Sequence, residues 1–268
     1  MKIETDRPAI DKLNIMHMPA DDPAGCIIMV HGLGEHIERY QSLAGYFNSR
    51  HYSFIGADLP GHGKSPGVRG FIKNTDQCNK IINDLSLIVR ETEGDLPLFL
   101  YGHSLGGALA LNYLQKNEIF TKAIITSPWI SLAEEPPAFK VKLAFALSRL
   151  VPSLQQESGL DPADISSDKN IVEGYISDPL VHSKITLSLF RLASKNAIKL
   201  KAAKDILNIP VLLMHGVADR ITSPVGSEMF AENNTGVELK LWQDGYHELH
   251  NEPFKNDVLD YIVNWLKK

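Results

Sequence analysis

The stretch Leu98-Phe99-Leu100-Tyr101-Gly102-His103-Ser104-Leu105-Gly106-Gly107-Ala108-Leu109-Ala110 decides the fold. Its apolar and aromatic opening reads as a buried strand, its glycine-flanked centre as an abrupt turn, and the residues from Leu105 onward as a helix. Gly-x-Ser-x-Gly in this setting is the signature of a strained turn that presents a serine hydroxyl to a cleft. Outside the strand-helix context the five-residue pattern would be a weak match.

Working outward, short β-rich apolar runs recur at Cys26–His31, Ser53–Asp58, Ala123–Ser127, Val211–His215 and Glu238–Trp242, with Leu98–Tyr101 among them. Asp76–Glu91, Gly106–Gln115 and Asn256–Leu266 carry apolar residues at helical spacing. Strands alternating with helices imply an α/β fold with a mostly parallel central sheet flanked by helices. The alternation breaks between Trp129 and Asn208, where Glu134-Glu135-Pro136-Pro137 opens a helical stretch without a convincing buried strand. Residues 1–130 and 206–268 therefore read as the core, and 131–205 as an inserted helical cap.

The chain has 268 residues, 44% of them hydrophobic and 22% charged, enough for one large domain with its own core. A net charge of -5, without a basic block, argues against a nucleic-acid partner and for a small-molecule substrate. Cys26 and Cys78 are too few for a disulfide framework and lack metal-type spacing. Met1–Pro8 carries charges where a leader needs an apolar run, so the expected location is cytoplasmic.

A serine hydroxyl is a poor nucleophile unless a base lies within hydrogen-bond reach and a third group orients that base. In the α/β-hydrolase fold, which the elbow resembles, acid and then histidine follow the nucleophile, each on a loop after a later strand. Of the later histidines, His182 falls in the cap and His215 ends a strand, where its ring is expected to be structural. His247 follows the run ending at Trp242 and is the candidate base, with His250 as its rival. Asp219, on the loop leaving Val211–His215, is the candidate acid; Asp178, in the cap, is its rival. The oxyanion that forms on attack needs donors already in place. Backbone N–H groups of Leu105 and of Leu33, in His31-Gly32-Leu33-Gly34, are the candidates.

Six blocks, in order, resemble the monoacylglycerol lipase and lysophospholipase family of α/β-hydrolases, of serine aminopeptidase S33-like type. They are His31–His36 with Arg39-Tyr40, Asp58–Ser65, Gly102–Gly107, Ser177–Leu180, Gly216–Arg220 and Tyr246–His250. The match spans residues 25–265 and is weakest in the cap. The resemblance implies a triad of Ser104, Asp219 and His247, with Leu33 and Leu105 as oxyanion donors and no cofactor or metal. It also implies hydrolysis of one fatty-acyl ester of a single-chain lipid, with Glu35 and His36 near the polar end where a glycerol-like headgroup sits. Their alternative role is to cap and tether the helix after the loop. Asp58 and His62 read as loop scaffold, and His103 as a packing partner under the elbow.

Ala138–Val151 is apolar over more than half its helical circumference, with Lys140, Lys142 and Arg149 as its charges. Such a segment lines an acyl tunnel, packs on the core, or touches a membrane surface transiently through the cap; Ile185–Ala193 has the same readings. Acyltransferase, thioesterase and peptidase chemistry use the same triad, and a non-catalytic ligand-binding protein could retain the fold.

Overall fold

A computed structural model of the protein describes residues 10–268; the Met1–Pro8 stretch read above for a leader lies outside the described residues. In chain order the elements are β1 (Ile15–Met18), β2 (Gly25–Val30), α1 (Gln41–Asn48), β3 (Tyr52–Ala57), α2 (Thr75–Glu93), β4 (Leu98–His103), α3 (Leu105–Leu114) and β5 (Lys122–Thr126). There follow α4 (Ala138–Leu147), β6 (Gln155–Glu157), α5 (Lys169–Ser177), β7 (Lys184–Thr186), α6 (Leu187–Lys201), β8 (Val211–Gly216), α7 (Pro224–Glu232), β9 (Val237–Trp242) and α8 (Lys255–Leu266).

The main sheet has seven strands in the order β1-β3-β2-β4-β5-β8-β9. β1 is antiparallel to β3 and the other pairings are parallel. β2, β3, β4 and β8 are buried along their whole length, as expected where helices cover both faces of a parallel sheet. Side chains alternate between the faces: Cys26, Ile28 and Val30 join the cluster packed by α2, α3 and α6, whereas Ile27 and Met29 join the one packed by α1 and α8. Strand order reverses between β2 and β4, and the crevice at such a reversal, beyond the carboxyl ends of the strands, is where α/β sheets hold ligands. Here it brings the loop after Val30 beside the turn after His103.

Two features depart from expectation. β1 is a half-buried four-residue edge strand containing His17, too short and mixed to declare itself. Residues 131–205 contain a two-stranded antiparallel pair, β6 with β7, of which β6 is wholly exposed. Their helices also differ in burial. α6 packs on α3 and contributes Leu189, Ala193 and Leu200 to the main core cluster, whereas α4 buries only Ala144. Helix α4 stops at Leu147, short of Val151, and Phe139, Leu143 and Leu150 are 66%, 56% and 79% exposed. Among the described residues no helix is long and apolar enough to cross a membrane.

Candidate active site

Ser104 joins β4 to α3 with φ 54° and ψ -119°, a region that L-residues rarely adopt and that costs on the order of 1–3 kcal/mol. The turn is held by Ser104 N–H donating to Thr126 O at 3.0 Å, while Ser104 O accepts from Ala108 N at 3.1 Å and Trp129 N at 3.0 Å. Glycine is required on the helix side because a Cβ on Gly106 would collide with the carbonyls of Val30 and His31. That is the close approach by which the β2 loop reaches the serine.

Ser104 Oγ lies 2.9 Å from His247 Nε2, and His247 Nδ1 lies 2.8 Å from Asp219 Oδ2. With Nδ1–H donating to the carboxylate, Nε2 is left to accept from the serine hydroxyl. Burial disfavours charged His247, but the Asp219 carboxylate and its hydrogen bond outweigh it and hold the imidazole above its ordinary value. Asp219 is itself buried, yet His247, together with His215, pulls its carboxyl well below the carboxylate range. Its oxygens accept from Ile221 N (2.8 Å), Thr222 N (3.0 Å), Thr222 Oγ1 (2.9 Å) and His215 Nε2 (3.1 Å). His215 thus sits behind the acid, its Nδ1 against Ser227 Oγ at 2.7 Å. The rivals lie elsewhere: His250 stacks on Tyr40 at 4.9 Å between ring centroids, and Asp178 accepts from His36 Nε2 at 2.8 Å.

Leu105 is the first residue of α3, so its N–H belongs to the helix start and has no partner within the helix. Across from it, Gly32 lies so close that a Cβ there would sit 3.2 Å from Ser104 Cβ. Leu33, next in that loop, lines the space around Ser104. The loop is tied down by Glu35, whose Oε1 accepts from Gly32 N at 2.6 Å and Tyr40 OH at 2.8 Å. Arg39 then joins this loop to the one bearing His247. It donates to Glu35 Oε2 at 2.6 Å and to both oxygens of Glu248 at 2.6 and 2.7 Å, with all three side chains nearly buried. Burial alone would raise the Glu248 carboxyl, but Arg39 brings it down to about 2.

Glu35 lines the space around Ser104; His36, buried and tied to Asp178, does not. His103 lies under the elbow with Nδ1 3.0 Å from Thr126 Oγ1, and burial beside His247 keeps its ring well below the usual histidine range. Asp58 accepts from Ile37 N at 2.7 Å and Lys64 N at 2.8 Å, a purely internal set of bonds.

From the cap, Leu160, Ile165 and Tyr175 roof the serine, leaving a space of about 10 Å³, room for roughly one water. Tyr175 stacks under the Arg39 guanidinium at 4.6 Å, and Glu248 N donates to Ile165 O at 2.8 Å. Leu33, Leu160 and Tyr175 also border a larger cavity of about 300 Å³, lined further by Pro162, Ile176 and Val181, with Asp178, His182 and Lys184 among its polar groups.

Residues 21–254 match the family described as serine aminopeptidase, S33. The chain belongs to this family. An uncharacterized abhydrolase domain-containing protein of Dictyostelium discoideum is 36% identical over 255 residues, which is 93% of this chain but 27% of that protein. A monoglyceride lipase of Rattus norvegicus is 31% identical over 258 residues, 92% of this chain and 84% of the relative. The crystal structure of a Paleococcus ferrophilus monoacylglycerol lipase superposes with a TM-score of 0.86 at 34% identity, covering 95% of this chain and 98% of that one. The chain is a monoglyceride-lipase-like α/β-hydrolase, a carboxylic ester hydrolase with a mostly parallel sheet and a cap.

Several residues that hold Ser104, Asp219 and His247 in place carry no local signal in the sequence. Ser127, at φ 45°, donates from Oγ to His247 O at 2.8 Å, and its carbonyl lies 3.1 Å from Thr222 Oγ1, sharing with Asp219 the one proton of that hydroxyl. One strained serine therefore pins both the base loop and the acid loop. Arg39 was visible in the His31–Tyr40 block as part of a resemblance, but its partner Glu248 is 209 positions away and nothing local marks the pair.

Proposed function

We propose that this chain hydrolyses the ester of a single-chain lipid, a monoacylglycerol or lysophospholipid, through an acyl-enzyme on Ser104. The observation that carries the proposal is the unbroken chain of bonds from Ser104 Oγ to His247 to Asp219, at 2.9 and 2.8 Å, on a strained elbow facing the Gly32-Leu33 loop. In the reaction His247 Nε2 takes the hydroxyl proton as Oγ attacks the acyl carbon, and Asp219 stabilises the imidazolium that forms. The carbonyl oxygen becomes an oxyanion held by the N–H groups of Leu33 and Leu105, each of the kind whose removal costs about 10²–10³ in rate. His247 returns the proton to the leaving alcohol, then activates a water that attacks the acyl-enzyme and releases the acid and Ser104.

The cavity beyond Leu33 and Leu160 suits the apolar chain, where each buried methylene contributes about 0.8 kcal/mol. Glu35 sits at the polar end; His36, bonded to Asp178, braces the cap against the loop. The monoglyceride lipase relatives favour the monoacylglycerol among the two lipids. Phe139, Leu143 and Leu150, exposed beside Lys140, Lys142 and Arg149, fit transient contact with a membrane surface that delivers such a substrate.

The test is a panel of p-nitrophenyl esters, monoacylglycerols, lysophospholipids, acyl thioesters and aminoacyl amides, run with wild type and Ser104→Ala. Turnover of single-chain lipid esters that disappears in the variant supports the proposal. Turnover confined to amides or thioesters, or equal turnover in Ser104→Ala, refutes it.

A further inference from the structure

Away from the reaction centre, a second cavity of about 270 Å³ lies in the seam between α6 and the core. α6 supplies Arg191, Lys195 and Lys199, the loop leading into α2 supplies Lys73 and Asn74, and α3 supplies Asn112. No Asp or Glu lines it. The chain carries a net charge of -5, yet Leu187–Lys204 holds Arg191, Lys195, Lys199, Lys201 and Lys204 without one carboxylate. Some surface cations meet acids, as in Lys64 with Glu38 and Lys80 with Asp84, and at the end of α6 Lys201 meets Glu135. Among the described residues no salt bridge compensates Lys73, Arg191, Lys195 or Lys199.

Cations at i, i+4 and i+8 of one helix repel each other, so this stripe weakens α6 unless an anion lies against it. The floor beneath it is rigid: buried Asn196 donates to Ala108 O at 2.7 Å and accepts from Asn112 Nδ2 at 2.8 Å, and Ser188 Oγ bonds Ile72 O at 3.1 Å. From Arg191 to Lys199 the stripe runs about 12 Å at 1.5 Å per residue, more than one phosphate spans.

We propose that this cavity binds an anion carrying two or more phosphate groups, bridged between the Arg191–Lys195–Lys199 stripe and Lys73. Guanidinium and ammonium groups around a concave polar floor are the chemistry that recognises phosphate oxygens. Asn112 lies two turns along the helix that starts at Leu105, so the occupant ties α6 to the helix behind the nucleophile. The site is independent of the substrate read for Ser104.

The probes are tripolyphosphate, orthophosphate and vesicles of cardiolipin, whose headgroup carries two phosphates, at constant ionic strength so that general screening is held equal. Thermal unfolding is followed for wild type, for Arg191→Gln/Lys195→Gln, and for a control pair on another surface, Lys240→Gln/Lys255→Gln. Tripolyphosphate is expected to raise the wild-type Tm saturably, with a midpoint about tenfold below that of orthophosphate and weakened about tenfold or more in the α6 variant alone. Hydrolysis of p-nitrophenyl butyrate by the α6 variant, unchanged without anion, verifies its fold. Vesicle flotation lost in the same variant identifies a lipid headgroup as the source, and tripolyphosphate binding without flotation identifies a soluble anion. An equal response in wild type and the α6 variant, or no saturable response in wild type, overturns the proposal.

Discussion

Replacing Arg39 with methionine removes a buried cation and leaves Glu35 and Glu248, each with a side chain 3% exposed, facing one another without it. Three charge-assisted hydrogen bonds, at 2.6, 2.6 and 2.7 Å, are lost together. Breaking such a buried pair costs about 3–5 kcal/mol because the orphaned carboxylates stay out of water. At about 2–3 °C per kcal/mol for a chain of this size, Tm falls by about 6–15 °C. The loss depends on pH in a defined direction. Glu248 is held down to about 2 in the folded protein, so its bond with Arg39 contributes stability above the ordinary glutamate value, and this is lost as pH falls toward 2. Without Arg39 burial raises the Glu248 carboxyl, which takes up a proton on mild acidification and relieves the penalty. The stability gap between wild type and Arg39→Met is therefore largest near pH 7 and shrinks toward pH 4. Urea unfolding at both pH values measures it. A gap under about 1 kcal/mol at pH 7, the scale of an exposed pair, or a gap as large at pH 4, would refute the reasoning. Because Glu35 anchors Gly32 beside Ser104, kcat in Arg39→Met is expected to fall roughly 10- to 100-fold through misplacement of that loop.

In the proposed reaction His247 must be neutral to accept the Ser104 proton, and Asp219 holds it above its ordinary value of about 6.5. The acidic limb of kcat/KM is thus expected above that pH, with activity lost as pH falls through it; a limb below 6 contradicts the assignment of the base. Asp219→Asn removes the charge that raises His247 and spoils the tautomer, so kcat should drop on the order of 10³–10⁴ while the fold persists by circular dichroism. Phe139→Glu/Leu143→Glu is expected to slow hydrolysis of monoacylglycerol in anionic vesicles and to leave a soluble short-chain ester unaffected; equal effects on both would remove the membrane role from α4.

The central strands were legible because a parallel strand buried on both faces reads as an unbroken apolar run: β2, β4 and β8 are such runs between glycine-rich turns. β1, β6 and β7 were not, being three or four residues long and partly exposed, with no alternation to separate them from loop. In the site, the serine was readable from the glycines its turn requires, and the candidate acid and base from their order after later strands. What holds them was not readable. Ser127 reaches His247 O across 120 positions and Arg39 reaches Glu248 across 209, so each pairing exists only once the sheet has assembled. The cap resisted for a related reason. α4 and α6 look alike as apolar helices, yet α6 joins the core and α4 turns Phe139 and Leu143 outward, a difference decided by neighbours distant in sequence.

The claim on which all of this rests is that Ser104 carries the acyl group. A rapid-quench reaction with a slowly hydrolysed monoacylglycerol analogue, followed by peptide mass spectrometry, tests it directly. The expected result is an acyl mass added to the peptide containing Ser104, absent in Ser104→Ala and trapped too slowly to accumulate in His247→Ala. Continued ester turnover with no acylated Ser104 peptide, or with the acyl mass on another residue, would contradict it.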